Sequence, residues 1–189
     1  MRLLKSKHLK KGIAMTMRKY LNIAAITALV GCSGVPVEKY AKEKPVLKLE
    51  DYFQGKIMAH GIFQDRSGEV TKRFLVTMNC EWKGSEGVLD EDFVYSDGTK
   101  SKRIWKIKKI DESTYEGRAA DVVGKAIGKV AGNALRWTYV MALEVDGKTY
   151  HVDFDDWMYL MDEKVMLNKS KMSKFGVYLG EVTLSFQKP

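Results

Sequence analysis

The chain has 189 residues, enough for one domain with a substantial core plus a leader. Its formal net charge of +8 suggests a nucleic-acid binder, but residues 1–31 hold seven of the 32 Lys and Arg and none of the 24 Asp and Glu. The remainder carries 25 basic against 24 acidic residues, a near-neutral balance that lacks the electrostatic footprint of a phosphate-backbone binder and excludes a nucleic-acid partner.

The first predicted element is a signal peptide over residues 1–31, with Met15 and Met17 as alternative starts. Arg18 and Lys19 form a basic flank, and Leu21–Val30 a short apolar run. Ten helical residues rise about 15 Å, half a hydrocarbon core, so the run reads as a signal segment and not as a membrane span. Leu29-Val30-Gly31-Cys32 resembles the lipobox of lipoprotein precursors, which predicts cleavage ahead of Cys32 and transfer of a diacylglyceryl group, carrying palmitate-type chains, to its thiol as a thioether. Two or three such chains, at roughly 0.8 kcal/mol per buried methylene, make a permanent membrane anchor. By resemblance to the sorting rule of Gram-negative lipoproteins, in which an Asp after the cysteine retains the protein in the inner membrane, Ser33 implies the periplasmic face of the outer membrane. Residues 32–48 hold two of the three prolines and little apolar periodicity, and read as a lipidated N-terminus and flexible tether.

From residue 49 to 189 the pattern is that of a β-domain. Gln54–Asp65 ends at Arg66-Ser67-Gly68, and Val70, Lys72, Phe74, Val76, Met78, Cys80 and Trp82 share one strand face. Val88–Tyr95 ends at Ser96-Asp97-Gly98, and Arg103–Ile110 at Asp111-Glu112-Ser113. Leu135, Trp137, Tyr139, Met141, Leu143 and Val145 give the clearest alternation, closed by Asp146-Gly147, a dipeptide suited to a type I′ hairpin. Tyr150, Val152 and Phe154 follow, then Lys164–Leu167, then Tyr178, Gly180, Val182, Leu184 and Phe186. Val123–Ala134, with Gly124, Gly128 and Gly132 at spacing four, reads as a glycine-rich connection or a short helix with a small-residue face. Eight to ten antiparallel strands with short connections predict an all-β fold, an up-and-down β-barrel of the lipocalin or calycin kind, with a β-sandwich as the alternative. With Cys32 acylated, Cys80 has no disulfide partner and reads as a packed thiol.

Several segments together resemble a proteobacterial lipoprotein family, domain of unknown function 3833 (DUF3833). They are Leu49-Glu50-Asp51-Tyr52-Phe53-Gln54-Gly55, Gly61 to Gly68, Leu89 to Gly98, Gly132 to Tyr139, and Phe154-Asp155-Asp156-Trp157-Met158-Tyr159. The resemblance runs from about residue 48 to the C-terminus and includes the leader. It implies a calycin-like lipoprotein domain without an assigned activity, and the company such genes keep with fatty-acid-modifying enzymes implies a lipid connection.

The polar candidates pair charge with aromatics. Arg66, Arg103, Arg118 and Arg136, with Asp155, Asp156, Trp137 and Trp157, are the candidate ligand-binding set. An arginine in a barrel lumen would pair a ligand carboxylate or phosphate bidentately, while aromatics line the apolar part. The same arginines serve equally as partners of Asp121, Asp155 or Asp156 in interstrand pairs. Because strand neighbours point to opposite faces, Arg136 and Trp137 cannot both line the interior, nor can Asp155 and Asp156 unless they sit at a turn ahead of Trp157–Leu160. No catalytic motif is present, and His8, His60 and His151 lack partners at zinc-ligand spacing, so neither a metal nor a cofactor is expected. The expected function is binding of a lipid or other amphipathic molecule at the envelope. The alternatives are an enzyme on modified fatty acyl chains and a structural lipoprotein without a ligand.

Overall fold

The computed structural model describes residues 34–189; the predicted signal peptide, the Met15 and Met17 starts and Cys32 lie outside the described residues. Ten strands follow in order: β1 (Gly55–Asp65), β2 (Val70–Lys83), β3 (Glu86–Tyr95), β4 (Lys100–Lys109), β5 (Thr114–Arg118), β6 (Val122–Ala131), β7 (Ala134–Val145), β8 (Lys148–Leu160), β9 (Val165–Lys174) and β10 (Val177–Gln187). Each is antiparallel to the next, and β1 pairs with β10 from Met58–Gln187 to Asp65–Gly180, closing an up-and-down barrel. Closure removes both sheet edges, the condition a sandwich would leave unmet.

The alternation seen in the sequence becomes the two faces of the wall. On β2, Val76, Met78 and Cys80 are buried while Thr77, Asn79 and Glu81 between them are exposed. Asp146 and Gly147 link β7 to β8 with φ of 51° and 72°, the left-handed pair a type I′ turn requires.

Two local expectations give way. The glycine-rich stretch is strand β6, not a connection or a helix. Its pairing with β7 breaks between Val123 and Ile127, where Gly124 takes φ 71°, and resumes to Ala131–Ala134. Gly128 is there for space: a Cβ would overlap the Trp137 ring. Asp155 and Asp156 lie within β8, the strand placement and not the turn, so one faces out and the other in.

Second, residues 36–48 are not a flexible tether. A 3₁₀ turn (Val37–Tyr40) packs on the barrel wall with Val37 buried, and Tyr40 meets the Trp157 and Tyr159 rings edge-on at 5.9 and 5.3 Å. Leu47 is buried, and its N–H donates to the Gly132 carbonyl at 2.8 Å. Burying side chains such as Val37 and Leu47 contributes roughly 1.5–3 kcal/mol each, enough to dock a short proline-stiffened strap.

The strap leads into a one-turn helix, α1 (Leu49–Tyr52), which lies across one end of the barrel. Glu50 accepts from the Tyr115 hydroxyl at 2.7 Å and from Lys109 Nζ at 2.8 Å on one side. Tyr52 donates to the Lys164 carbonyl at 3.0 Å on the other. Leu49 and Phe53 are thereby driven into the end of the barrel and join its main apolar cluster with Met78, Trp105, Ile107, Tyr115, Trp137 and Phe186. Cys80 belongs to the same cluster, and burial pushes its thiol up to about 12, out of the reactive range.

Candidate functional site

The opposite end is open. Inside lies a cavity of about 780 Å³, walled by inward side chains from nearly all the strands and floored by Leu49 and Phe53 of the α1 region. Its mouth carries Phe63, Lys72, Tyr95, Tyr150 and Lys174. The mouth is notched on one side, because β5 is only five residues long. β4 pairs with it only from Lys106 to Lys109, and β7 has no β6 partner beyond Met141.

Two apolar layers enclose a polar belt. The deep layer is the main cluster, where Trp105 and Trp137 meet edge-on at 5.9 Å. The outer layer is Met141, Val152, Phe154 and Met172, with Phe63, Leu143, Leu179 and Val182 packed against them. Between these layers β3 supplies Glu91, β4 Arg103, β7 Tyr139, β8 Asp156 and β9 Asn168 and Ser170, all lining the cavity.

Each polar residue stands at an inward step of an apolar alternation, so the strand pleat puts it in the lumen. Glu91 falls between Leu89 and Phe93, and Asp156 between Phe154 and Met158. The Arg103 guanidinium spans the base of the notch, its Nε and one terminal nitrogen donating to Asp121 Oδ2 at 2.9 and 2.7 Å. It also lies over the Phe93 ring at 5.6 Å. Asp156 accepts from Asn168 Nδ2 and, at 3.4 Å, from the Tyr139 hydroxyl. Asn168 is fixed in turn by the Trp157 carbonyl at 3.1 Å.

Glu91 differs from all of these. It is 8% exposed and, although it stands opposite Arg103 in the β3–β4 register, makes no hydrogen bond or ion pair among the described residues. Burial pushes its carboxyl up to about 7 despite the nearby Arg103, and burial pushes Asp156 up to about 6. Burial also raises Tyr139 well above an ordinary phenol, so it stands as a neutral donor. Among the described residues no group of three or more His, Cys, Asp or Glu is arranged to hold a metal ion.

The candidate set from the sequence divides. Arg103, Trp137 and Asp156 come together in the lumen. Arg136 and Asp155 face outward as a bidentate pair, Nε to Oδ1 at 2.7 Å and the terminal nitrogen to Oδ2 at 3.1 Å. Arg136 also lies over the Trp157 ring at 5.4 Å, on the wall that receives Tyr40, so this trio holds the strap and not a lumen ligand. Arg118 is exposed and donates to the Gly124 carbonyl at 3.0 Å, bracing the β6 break. Arg66 is exposed in the β1–β2 turn.

Sequence reasoning missed Glu91, Tyr139, Asn168, Ser170 and the mouth lysines. The available signal was a polar residue at an inward position of an apolar strand, rather than a charge beside an aromatic. Lys72 lies over the Tyr95 ring at 5.2 Å, and Lys174 over Tyr150 and Phe175 at 5.5 and 5.2 Å.

The family model described as Protein of unknown function (DUF3833) matches residues 26–188. No curated protein matches the chain. Among solved structures, an S-type phycobiliprotein lyase from Guillardia theta aligns with a TM-score of 0.54 at 7% identity, covering 82% of this chain and 98% of that one. A protein with unknown function from the DUF3598 family of Nostoc punctiforme aligns with a TM-score of 0.53 at 11% identity, covering 83% of this chain. This chain spans about half, 53%, of the Nostoc protein's length. At such identities the likeness extends to the barrel fold alone.

Proposed function

We propose, from the premise that the chain belongs to the DUF3833 family, that the protein is an envelope lipoprotein whose barrel binds a lipid or other amphipathic small molecule. The observation that carries the reading is the open lumen of about 780 Å³, within the roughly 300–1,000 Å³ typical of small-molecule sites. Its walls are apolar at two levels with a few convergent polar groups between, the lining that such sites use for affinity and orientation. A structural lipoprotein would need no such volume. The phycobiliprotein lyase shares the barrel and adds support for a small-molecule occupant. Cys32, acylated, would tether the barrel at the periplasmic face of the outer membrane, where amphipathic molecules are at hand.

Native mass spectrometry of the full chain carrying Cys32→Ser, which removes the acylation site, tests the binding. A panel of long-chain alcohols, amines, fatty acids and phospholipids should yield a one-to-one complex with at least one class. Failure of every class to be retained would refute it. A second reading, an enzyme acting on modified acyl chains, draws on Glu91 and Asp156, whose carboxyls lie near neutrality as an acid–base pair requires. It predicts that Glu91→Gln and Asp156→Asn fail to restore the lipid composition of a deletion strain that the parent chain restores.

A further inference from the structure

We infer that Glu91, backed by Asp156, receives a positively charged, hydrogen-bond-donating headgroup, a primary ammonium, on a ligand whose apolar chain fills the lumen. The inference rests on the lumen-binding reading above and specifies its chemistry.

The polar belt is short of positive charge. Three carboxyls, Glu91, Asp121 and Asp156, surround one guanidinium, Arg103. That guanidinium already holds Asp121 by two hydrogen bonds and covers the Phe93 ring. Glu91 stands opposite it in the β3–β4 register and also acts on it, so the guanidinium is already shared between two carboxyls; an incoming carboxylate or phosphate would displace Asp121 and then face Glu91 and Asp156 with like charge. Asp156 has its two donors from Asn168 and Tyr139. Among the described residues on the cavity wall, Glu91 alone combines near-complete burial with a carboxyl that takes no hydrogen bond; Arg103, opposite it, acts on it through space while its own hydrogen bonds go to Asp121. A buried carboxylate without a donor is costly, and a group that supplies both a proton donor and a positive charge removes that cost.

The other elements around the belt supply no competing cation. β1, β2 and β10 line it with apolar side chains, among them Phe63, Val76, Met78, Val182, Leu184 and Phe186. Asp90, Cys80 and Tyr139 also act on Glu91, and none of them carries a positive charge. Lys72, Lys174 and Glu144 line the cavity at its mouth, where both lysines rest on aromatic rings. A divalent metal is an unsuitable occupant, since among the described residues no group of three or more His, Cys, Asp or Glu is arranged to ligate one. The elevated carboxyls of Glu91 and Asp156 agree: burial raises both, and an ammonium would supply the positive charge that favours their ionised forms.

The test titrates the full chain carrying Cys32→Ser, at pH 8, with dodecylammonium, dodecanol and laurate, following the fluorescence of Trp105 and Trp137 in the lumen wall. Dodecylammonium should bind at least tenfold more tightly than dodecanol, and laurate most weakly. Glu91→Gln should bring dodecylammonium to within threefold of dodecanol, and a far-UV circular dichroism spectrum matching the parent's establishes that the variant barrel is intact. Laurate binding as tightly as dodecylammonium would overturn the headgroup assignment and leave the lumen reading standing. So would an ammonium preference that survives Glu91→Gln. Binding by none of the three would overturn the lumen reading, and this inference with it.

Discussion

Glu91→Gln carries a stability signature that can be worked from the lumen. An ordinary Glu titrates at 4.5 in this chain's unfolded reference, whereas burial holds the folded carboxyl at about 7. The folded protein thus binds the proton more tightly than the unfolded chain. Stability is fully present below pH 4.5 and is lost as pH rises through 7. At about 1.4 kcal/mol per pKa unit the loss amounts to about 3 kcal/mol over that window, of which about 2 kcal/mol falls between pH 5.5 and 7. Asp156, held at about 6 against 3.8, acts in the same sense but is nearly spent above pH 6. Gln cannot titrate, so the variant should lose most of the slope above pH 6 and exceed the parent in stability at pH 8. Urea denaturation of the two chains at half-unit steps from pH 5.5 to 8 measures it. Parallel profiles would refute the placement of an uncompensated Glu91 in the lumen.

Other outcomes follow from individual contacts. Gly132→Ala should destabilise the strap by about 1–2 kcal/mol or more, since φ is 55° and the new Cβ would overlap the Tyr40 carbonyl; proteolysis between residues 36 and 48 should accelerate. Arg136→Ala should loosen the same strap by up to about 1 kcal/mol while leaving lumen binding unchanged, as judged by the same proteolysis and by dodecanol titration. Cys80 should resist thiol reagents in the native protein at pH 8 and react only on unfolding, because burial holds its thiol near 12. Cys32→Ser should abolish metabolic labelling with palmitate and release the protein from the membrane fraction; persistent labelling would contradict acylation at that residue.

Most of the barrel was legible because a half-buried strand writes its two faces directly into the sequence. Leu135 to Val145 and Val76 to Cys80 announce β7 and β2, and Asp146-Gly147 announces the hairpin. β5 was missed because Tyr115 is its one large apolar residue, its other inward position being Gly117, which makes room for Trp137. β6 was misread because its glycines serve three separate purposes, a bent strand, a ring and a turn, that happen to fall at helical spacing. The strap was misread because Val37, Tyr40 and Leu47 are too few to show periodicity, and their partners, Trp157 and Gly132, are far along the chain. For the site, opposite facing of strand neighbours correctly separated Trp137 from Arg136. Choosing between Arg103 and Arg136 for the lumen needed the barrel register. Glu91 was readable as a charge between Leu89 and Phe93, a local conflict of the kind functional sites tolerate.

The central claim is that the lumen, and not the outer wall or the rim, holds an amphipathic ligand. Val152 is buried on the inward face of β8, in the apolar layer between the mouth and the belt. Val152→Trp should fill this passage, so the direct measurement is ligand stoichiometry by native mass spectrometry for Val152→Trp beside the parent, both with Cys32→Ser. The account predicts one bound chain for the parent and none for Val152→Trp, with the circular dichroism spectra of the two superimposable. One bound chain on both proteins, with both folded, would place the ligand elsewhere and contradict it.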